Sequence, residues 1–182
     1  MALLESDQME KGTPLPAFKL KDVDGKFVDS AELVSRPHLL IVFTCNHCPY
    51  AIASWPVLKD LHQRYSEQGL EIVAINPNNN PSYPEDGFDR MKPFAEENDI
   101  RFPYLFDEDQ SVAKTYGAVC TPDPYLFHQG KLSYHGRIND NWQDPSAVKE
   151  NSLELALLRD MGKGPGPEKV FPSMGCSIKW VK

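Results

Sequence analysis

Apolar and polar residues alternate along this chain with two different periods, and the changes of period mark out the elements. Phe18 to Val28 alternates around Asp24-Gly25, the pattern of a short β-hairpin. Leu39-Leu40-Ile41-Val42-Phe43 is an unbroken apolar run, which predicts a strand buried on both faces. Beyond it, Ile52, Trp55, Leu58, Leu61 and Tyr65 recur at the three-to-four spacing of a helix with one buried face. Pro56 predicts a kink there, because it removes a backbone donor and crowds the preceding turn. Gly69 ends the helix, and 71–75 reads as a second buried strand, which makes a right-handed parallel crossover unit.

The stretch 76–87, rich in Asn, Pro and Gly, predicts an irregular loop. A helix follows over 88–98, then a strand over 104–106 and a small helix stopped by Gly117. Tyr125-Leu126-Phe127 and Leu132-Ser133-Tyr134 predict an antiparallel hairpin. Asp144-Pro145 offers a cap and a first-turn proline for a last helix running to about Met161. The glycines of Gly162-Lys163-Gly164-Pro165-Gly166-Pro167 do not make a phosphate loop, since prolines lack the N–H groups that cradle an anion and no strand precedes them. This segment reads as a linker. The expected architecture is α/β, with a central mixed sheet flanked by helices and an N-terminal hairpin. Residues 1–161 form the domain, and 162–182 form a C-terminal extension packing on it.

A length of 182 residues suits one domain with an ample core. The net charge of −7 is spread among interspersed signs, which gives no general attraction for nucleic acid or for an anionic membrane. No run approaches the roughly 18 apolar residues of a membrane span. The first residues show neither the basic region nor the apolar core of a secretory signal, so the expected location is cytoplasmic. In a reducing compartment the four cysteines point to redox chemistry, metal binding or inert burial, and not to a disulfide framework.

Two of them, in Thr44-Cys45-Asn46-His47-Cys48-Pro49, stand where a buried strand hands over to a helix. That context predicts Cys45 at the helix N-terminus, where free N–H groups and the macrodipole favour a thiolate, with Cys48 buried one turn on to close a disulfide. An imidazolium at His47 would stabilise the Cys45 thiolate further and make the pair more oxidising. Half a zinc site and two core cysteines are the other readings of this spacing. A zinc site needs two more ligands, for which only the single Cys120 and Cys176 are available.

Val119-Cys120-Thr121-Pro122-Asp123-Pro124, taken with that dithiol, carries a family likeness. So do Pro16-Ala17-Phe18-Lys19-Leu20, Phe102-Pro103-Tyr104-Leu105-Phe106-Asp107, Tyr134-His135-Gly136-Arg137-Ile138 and the tail Pro172 to Trp180. The chain resembles the thioredoxin superfamily, in particular the peroxiredoxin-like branch of the AhpC/TSA redoxins that keeps a thioredoxin-type Cys-x-x-Cys. The resemblance implies a thioredoxin-like fold and a cis Thr121-Pro122 bond facing the dithiol, with Pro124 the rival position. It also implies that the Thr121 backbone is exposed to pair with an extended substrate. Two family features are missing. Val42 stands three residues before Cys45, where peroxiredoxins carry a threonine, leaving Thr44 as a substitute hydroxyl. Leu39 stands where thioredoxins bury an aspartate, so proton transfer falls to His47, water or another group.

The implied function is thiol–disulfide exchange without a cofactor or metal: Cys45 attacks, Cys48 resolves, and His47 and Thr44 tune the thiolate. Thr121, Pro122 and Arg137 would bind the substrate, a guanidinium at Arg137 holding a thiolate or an anionic oxygen. Cys120 and Cys176 are accessory thiols, either paired with each other or with Cys176 as a relay; the alternative for Cys120 is simple burial. The partners are a protein or small-molecule thiol or disulfide and a reductant such as thioredoxin or glutathione, with the protein a monomer or homodimer. A thiol peroxidase, and a non-catalytic redox sensor or binding module, are the competing functions. His38, His62, His128 and His135 show no ligand-like spacing and read as surface or satisfied residues.

Overall fold

The apolar run after Pro37 becomes the middle of a seven-stranded mixed sheet, because side chains on both of its faces meet a covering layer. The computed structural model describes residues 3–181. Its strands are β1 (Leu3–Glu5), β2 (Lys19–Asp22), β3 (Phe27–Asp29), β4 (His38–Phe43), β5 (Leu70–Asn76) and β6 (Tyr104–Phe106). They continue with β7 (Cys120–Thr121), β8 (Asp123–His128), β9 (Lys131–His135) and β10 (Met174–Ser177). The helices are α1 (Ser30–Leu33), α2 (Pro49–Tyr65), α3 (Phe88–Glu97), α4 (Ser111–Tyr116) and α5 (Ser152–Asp160).

The large sheet runs β3-β2-β6-β5-β4-β8-β9. Strands β4, β5 and β6 are parallel neighbours, and β8 and β9 return antiparallel on one side, as β2 and β3 do on the other. Alternation along β4 and β5 sorts the core. Leu40, Val42, Ile72 and Ala74 meet Trp55, Leu58 and Leu61 of α2, Met91 of α3 and Leu157 of α5. Leu39, Ile41, Phe43, Val73 and Ile75 point the other way, toward Val112, Ala113 and Tyr116 of α4 and toward Ile178 near the C-terminus. Burying each large side chain contributes roughly 1.5–3 kcal/mol. Pro56 lies inside α2 and does not end it. Among the described residues no helix is long and apolar enough to cross a membrane.

Two expectations differ from the fold. Asp144 does cap a turn, its carboxylate accepting from the Ser146 amide, but that turn is a single 3₁₀ piece. Val148 is extended, and Asp140 closes the loop by accepting from the Lys149 amide and donating its own amide to the Glu150 carbonyl, so the helix starts only at Ser152. Beyond the Gly/Pro linker the chain forms β10, which lies between β1 and β7 in a second, three-stranded sheet.

Candidate active site

The dithiol leaves the C-terminal end of β4, and its second cysteine, not its first, caps α2. Cys48 is the extended N-cap residue and Pro49 the first helical one, so the free amides and positive end of the helix serve Cys48. Cys45 lies three residues further out. This reverses the order expected from the sequence. The reason is local: Pro49 is favoured at the first helical position, and Asn46 and His47 are held in a non-helical turn by other groups.

Those groups centre on Asp86, fully buried at the end of the Asn/Pro-rich loop. One carboxylate oxygen accepts from the amides of Asn46 (2.8 Å) and His47 (3.2 Å), the other from Asn78 Nδ2 (2.7 Å) and His47 Nδ1 (2.5 Å). Asn46 also donates to the Glu85 carbonyl and accepts from Tyr104 Oη (2.8 Å), while Trp55 Nε1 donates to the Cys45 carbonyl. The loop that composition marks as irregular is therefore the buried support of the dithiol. Nothing in the local pattern around Asp86 signals this, since the dithiol residues it holds, Asn46 and His47, lie about forty positions away.

Thr121 faces the dithiol across the groove, and the Thr121-Pro122 bond is cis. Its hydroxyl lies 3.4 Å from Cys45 Sγ, and its carbonyl accepts from Cys48 Sγ at 3.4 Å. Both sulfurs are wholly buried. Thr44 does not act as the tuning hydroxyl expected of it, because its Oγ1 is buried without a partner. The Thr121 edge, expected to lie open for a substrate strand, is covered by the protein's own β10, with Cys176 paired opposite Thr121 and Ser177 opposite Cys120.

The surroundings separate the thiols. Cys48 is lowered to about 5 by a hydrogen bond from Cys45, against the cost of burial, with help from Cys176 and the nearby Ala51 amide. Cys45 is pushed well up by burial first, then by its bond to Cys48 and the charge of Asp86. The expected lowering of Cys45 beside His47 is thus reversed, because burial above all, and then the bond to Cys48 and the Asp86 carboxylate, disfavour its charged form. Burial raises Cys176 to about 12, and Cys120 likewise, the latter also facing Asp123.

The remaining candidates take up other positions. Arg137 does not contact the sulfurs. It donates to Glu150 (3.1 Å) and Ser152 (3.2 Å) and lies over the Phe171 ring, lining a cavity of about 250 Å³ with Tyr50, Pro122, Trp142 and Met174. The register does not bring Cys120 and Cys176 together: opposite residues of an antiparallel ladder share a face, so Cys176 sides with Thr121 while Cys120 faces away, toward Ser6. His135 is buried and satisfied, accepting from the Met9 amide and bonding Asp123 at 2.8 Å. Asp123, which the sequence reading passed over, also accepts from Ser6, Ser173 and Tyr125 and ties both ends of the chain to β8.

Cys45, His47 and Asp86 offer ligand atoms within 4.8 Å of one another, the one such group among the described residues. The four donors on Asp86 occupy its oxygens, so this set suits a hydrogen-bonded anchor better than an ion.

The model of the AhpC/TSA family matches residues 11–135. The chain belongs to the AhpC/TSA family. Family relatives include the thiol-disulfide oxidoreductase ResA of Bacillus thuringiensis, 25% identical over 129 residues that span 70% of each chain. The chloroplastic peroxiredoxin Q of Triticum aestivum is 27% identical over 110 residues, 60% of this chain and 47% of that one. An uncharacterized conserved protein from Geobacillus kaustophilus superposes with a TM-score of 0.92 at 40% identity, over all of this chain and 97% of its own. Solved thiol-disulfide oxidoreductases at lower identity share the architecture, and the AhpC/TSA fold seen here is thioredoxin-like.

Proposed function

We propose that this AhpC/TSA protein is a thiol–disulfide oxidoreductase whose dithiol, Cys45 and Cys48, exchanges with a thiol or disulfide of a protein or small molecule. The observation that carries this reading is the convergence of both sulfurs on Thr121 at the cap of α2. Cys48 gives up to solvent the proton it shares with the Thr121 carbonyl and, as the thiolate, attacks a substrate disulfide, releasing one substrate thiolate. Cys45 then gives up its proton, which neutralises that thiolate by way of His47 and Asp86. The Cys45 sulfur attacks Cys48 Sγ, closing the Cys45–Cys48 disulfide and expelling the second half of the substrate as a thiolate, which takes a proton from solvent. No cofactor enters, since the electrons come from thiols. A cytoplasmic reductant such as thioredoxin or glutathione restores the pair by the reverse exchange.

The likeness to peroxiredoxin Q favours one further reading, in which a peroxide oxidises the Cys48 thiolate to a sulfenic acid and Cys45 condenses with it, releasing water. Turnover separates the two. With dithiothreitol as reductant, the wild type is expected to reduce glutathione disulfide or insulin catalytically, and Cys48→Ser is expected to fall to background. Undiminished reduction by Cys48→Ser would sink the proposal, and sustained consumption of hydrogen peroxide without disulfide reduction would select the peroxidase.

A further inference from the structure

Three of the four sulfurs surround one residue. Cys45 Sγ touches the Thr121 hydroxyl, Cys48 Sγ touches the Thr121 carbonyl, and Cys176 is the β-ladder partner of Thr121. Cys176 belongs with Cys45, Cys48 and Ala51 to one buried cluster, separate from the two main cores. An extended chain bound beside a thioredoxin-type dithiol would pair with this same backbone edge, so β10 presents Cys176 where a partner's cysteine would sit.

The placement is built. Gly175 lies so close to Thr121 that an added Cβ would stand 2.1 Å from the Thr121 carbonyl oxygen, so glycine alone lets β10 lie against this edge. On one side of β10, Ser173 bonds Asp123 and its carbonyl accepts from the Ser6 amide. On the other side, the Lys179 amide donates to Asn78, Gln110 donates to the Lys179 carbonyl, and the Val181 amide donates to Gln110. Asn78 is the same side chain that holds Asp86, so one loop fixes both the dithiol and the tail.

We propose that Cys176 is a third redox thiol of this site, exchanging with Cys48 to form an intrachain Cys48–Cys176 disulfide. Starting from the Cys45–Cys48 disulfide, Cys176 loses its proton and attacks Cys48 Sγ. The Cys48–Cys176 bond forms as the Cys45–Cys48 bond breaks, Cys45 leaves as a thiolate and takes up the proton, and no external oxidant is consumed. The exchange moves the disulfide from the fully buried Cys45 onto the tail, whose Cys176 retains slight exposure. It gives the buried dithiol a second, internal route to the outside beside direct attack by Cys48. This step rests on the dithiol reading above and deepens it.

Folded Cys45→Ser and Cys176→Ser, each equilibrated with glutathione disulfide and mapped by peptide mass, test the step. Cys45→Ser is expected to lose two of its three remaining thiols to a Cys48–Cys176 link, with Cys120 left free. Gly175→Ala is expected to reduce the yield of that link at least about tenfold in the Cys45→Ser background, since it moves the tail off Thr121. A Cys45→Ser protein that carries only glutathione on Cys48, or that links Cys120 instead, overturns the proposal. The dithiol reading fails by a different result, the absence of a Cys45–Cys48 link in Cys176→Ser.

Discussion

Two buried aspartates are each bonded to a histidine, one beside the dithiol and one next to Pro122 in the chain, and they serve different ends. Asp86 holds His47 at 2.5 Å and the two amides between the cysteines; Asp123 holds His135 at 2.8 Å together with Ser6, Ser173 and Tyr125. Both carboxylates are inaccessible. The histidines differ. Both ring nitrogens of His135 are bonded, whereas His47 leaves a buried Nε2 without a partner and stacks on Tyr83 near the edge of the site. The nearby thiols differ as well: Cys48, at a helix cap, is low, and Cys120, beside Asp123 and away from any helix start, is high. The same residue types thus build one reactive site and one structural clasp. What separates them is a helix N-terminus and a neighbouring thiol able to donate.

The largest effect expected from that difference lies at the cysteines. Cys48→Ser should lower disulfide exchange by about a thousandfold or more, while Cys120→Ser should change it less than about twofold. Steady-state reduction of glutathione disulfide measures both, and equal losses would erase the distinction between the two regions. Stability comes next. Removing either carboxylate strands several buried donors, so Asp86→Ala and Asp123→Ala should each cost about 3–5 kcal/mol in urea unfolding. Only the Asp86 change should also alter the titration of Cys45 and Cys48. An Asp123 variant that moved Cys48 would show that the clasp and the reactive site are one unit.

Much of this framework is legible in the linear chain. Leu39 to Phe43 announces a strand covered on both faces, and the two cysteines after it mark the place of chemistry. Thr121 and Pro122 follow from family likeness. What stays hidden depends on register and distance. Asp86 acts on residues about forty positions earlier, and Asp123 on both ends of the chain, so no short pattern records either role. The Asn/Pro-rich loop looks solvated by composition, yet Asn76, Asn78 and Asp86 are buried, because their amides and carboxylate satisfy one another and the backbone around them. Met174-Gly175-Cys176-Ser177 lacks β-branched residues and gives no strand signal; its pairing with Thr121 is fixed by what it meets across the fold. Even the order of the two thiols turns on where α2 begins, which Pro49 decides.

A smaller effect concerns pH. With Cys48 lowered to about 5, its alkylation by iodoacetamide should be independent of pH above about 6 and fall tenfold per unit below about 5. Cys120 in the same protein should react only in alkali. The low value also carries a sign for stability. The folded reduced protein releases this proton well before the unfolded chain does, so the thiol contributes stability that is complete above the ordinary cysteine value and lost as pH falls through about 5. Cys48→Ser should remove that dependence, and a wild-type alkylation profile centred above pH 8 would contradict the helix-cap argument.

The finest test is a single hydroxyl. Thr121 Oγ1 lies 3.4 Å from Cys45 Sγ and favours the charged form of a thiol that burial and Asp86 otherwise push up. Thr121→Val keeps the side-chain volume and the β10 pairing but removes that donor, which is worth about 0.5–1.5 kcal/mol. The Cys45 thiol should rise further, and closure of the Cys45–Cys48 disulfide from a mixed disulfide on Cys48 should slow by about three- to tenfold, because that step consumes the Cys45 thiolate. The first attack, by Cys48, should keep its rate, since the Thr121 hydroxyl bonds Cys45 and not Cys48. Stopped-flow measurement of both phases reads the two cysteines separately. A substitution that slowed the first phase and spared the second would exchange their roles, and would return the nucleophile to Cys45.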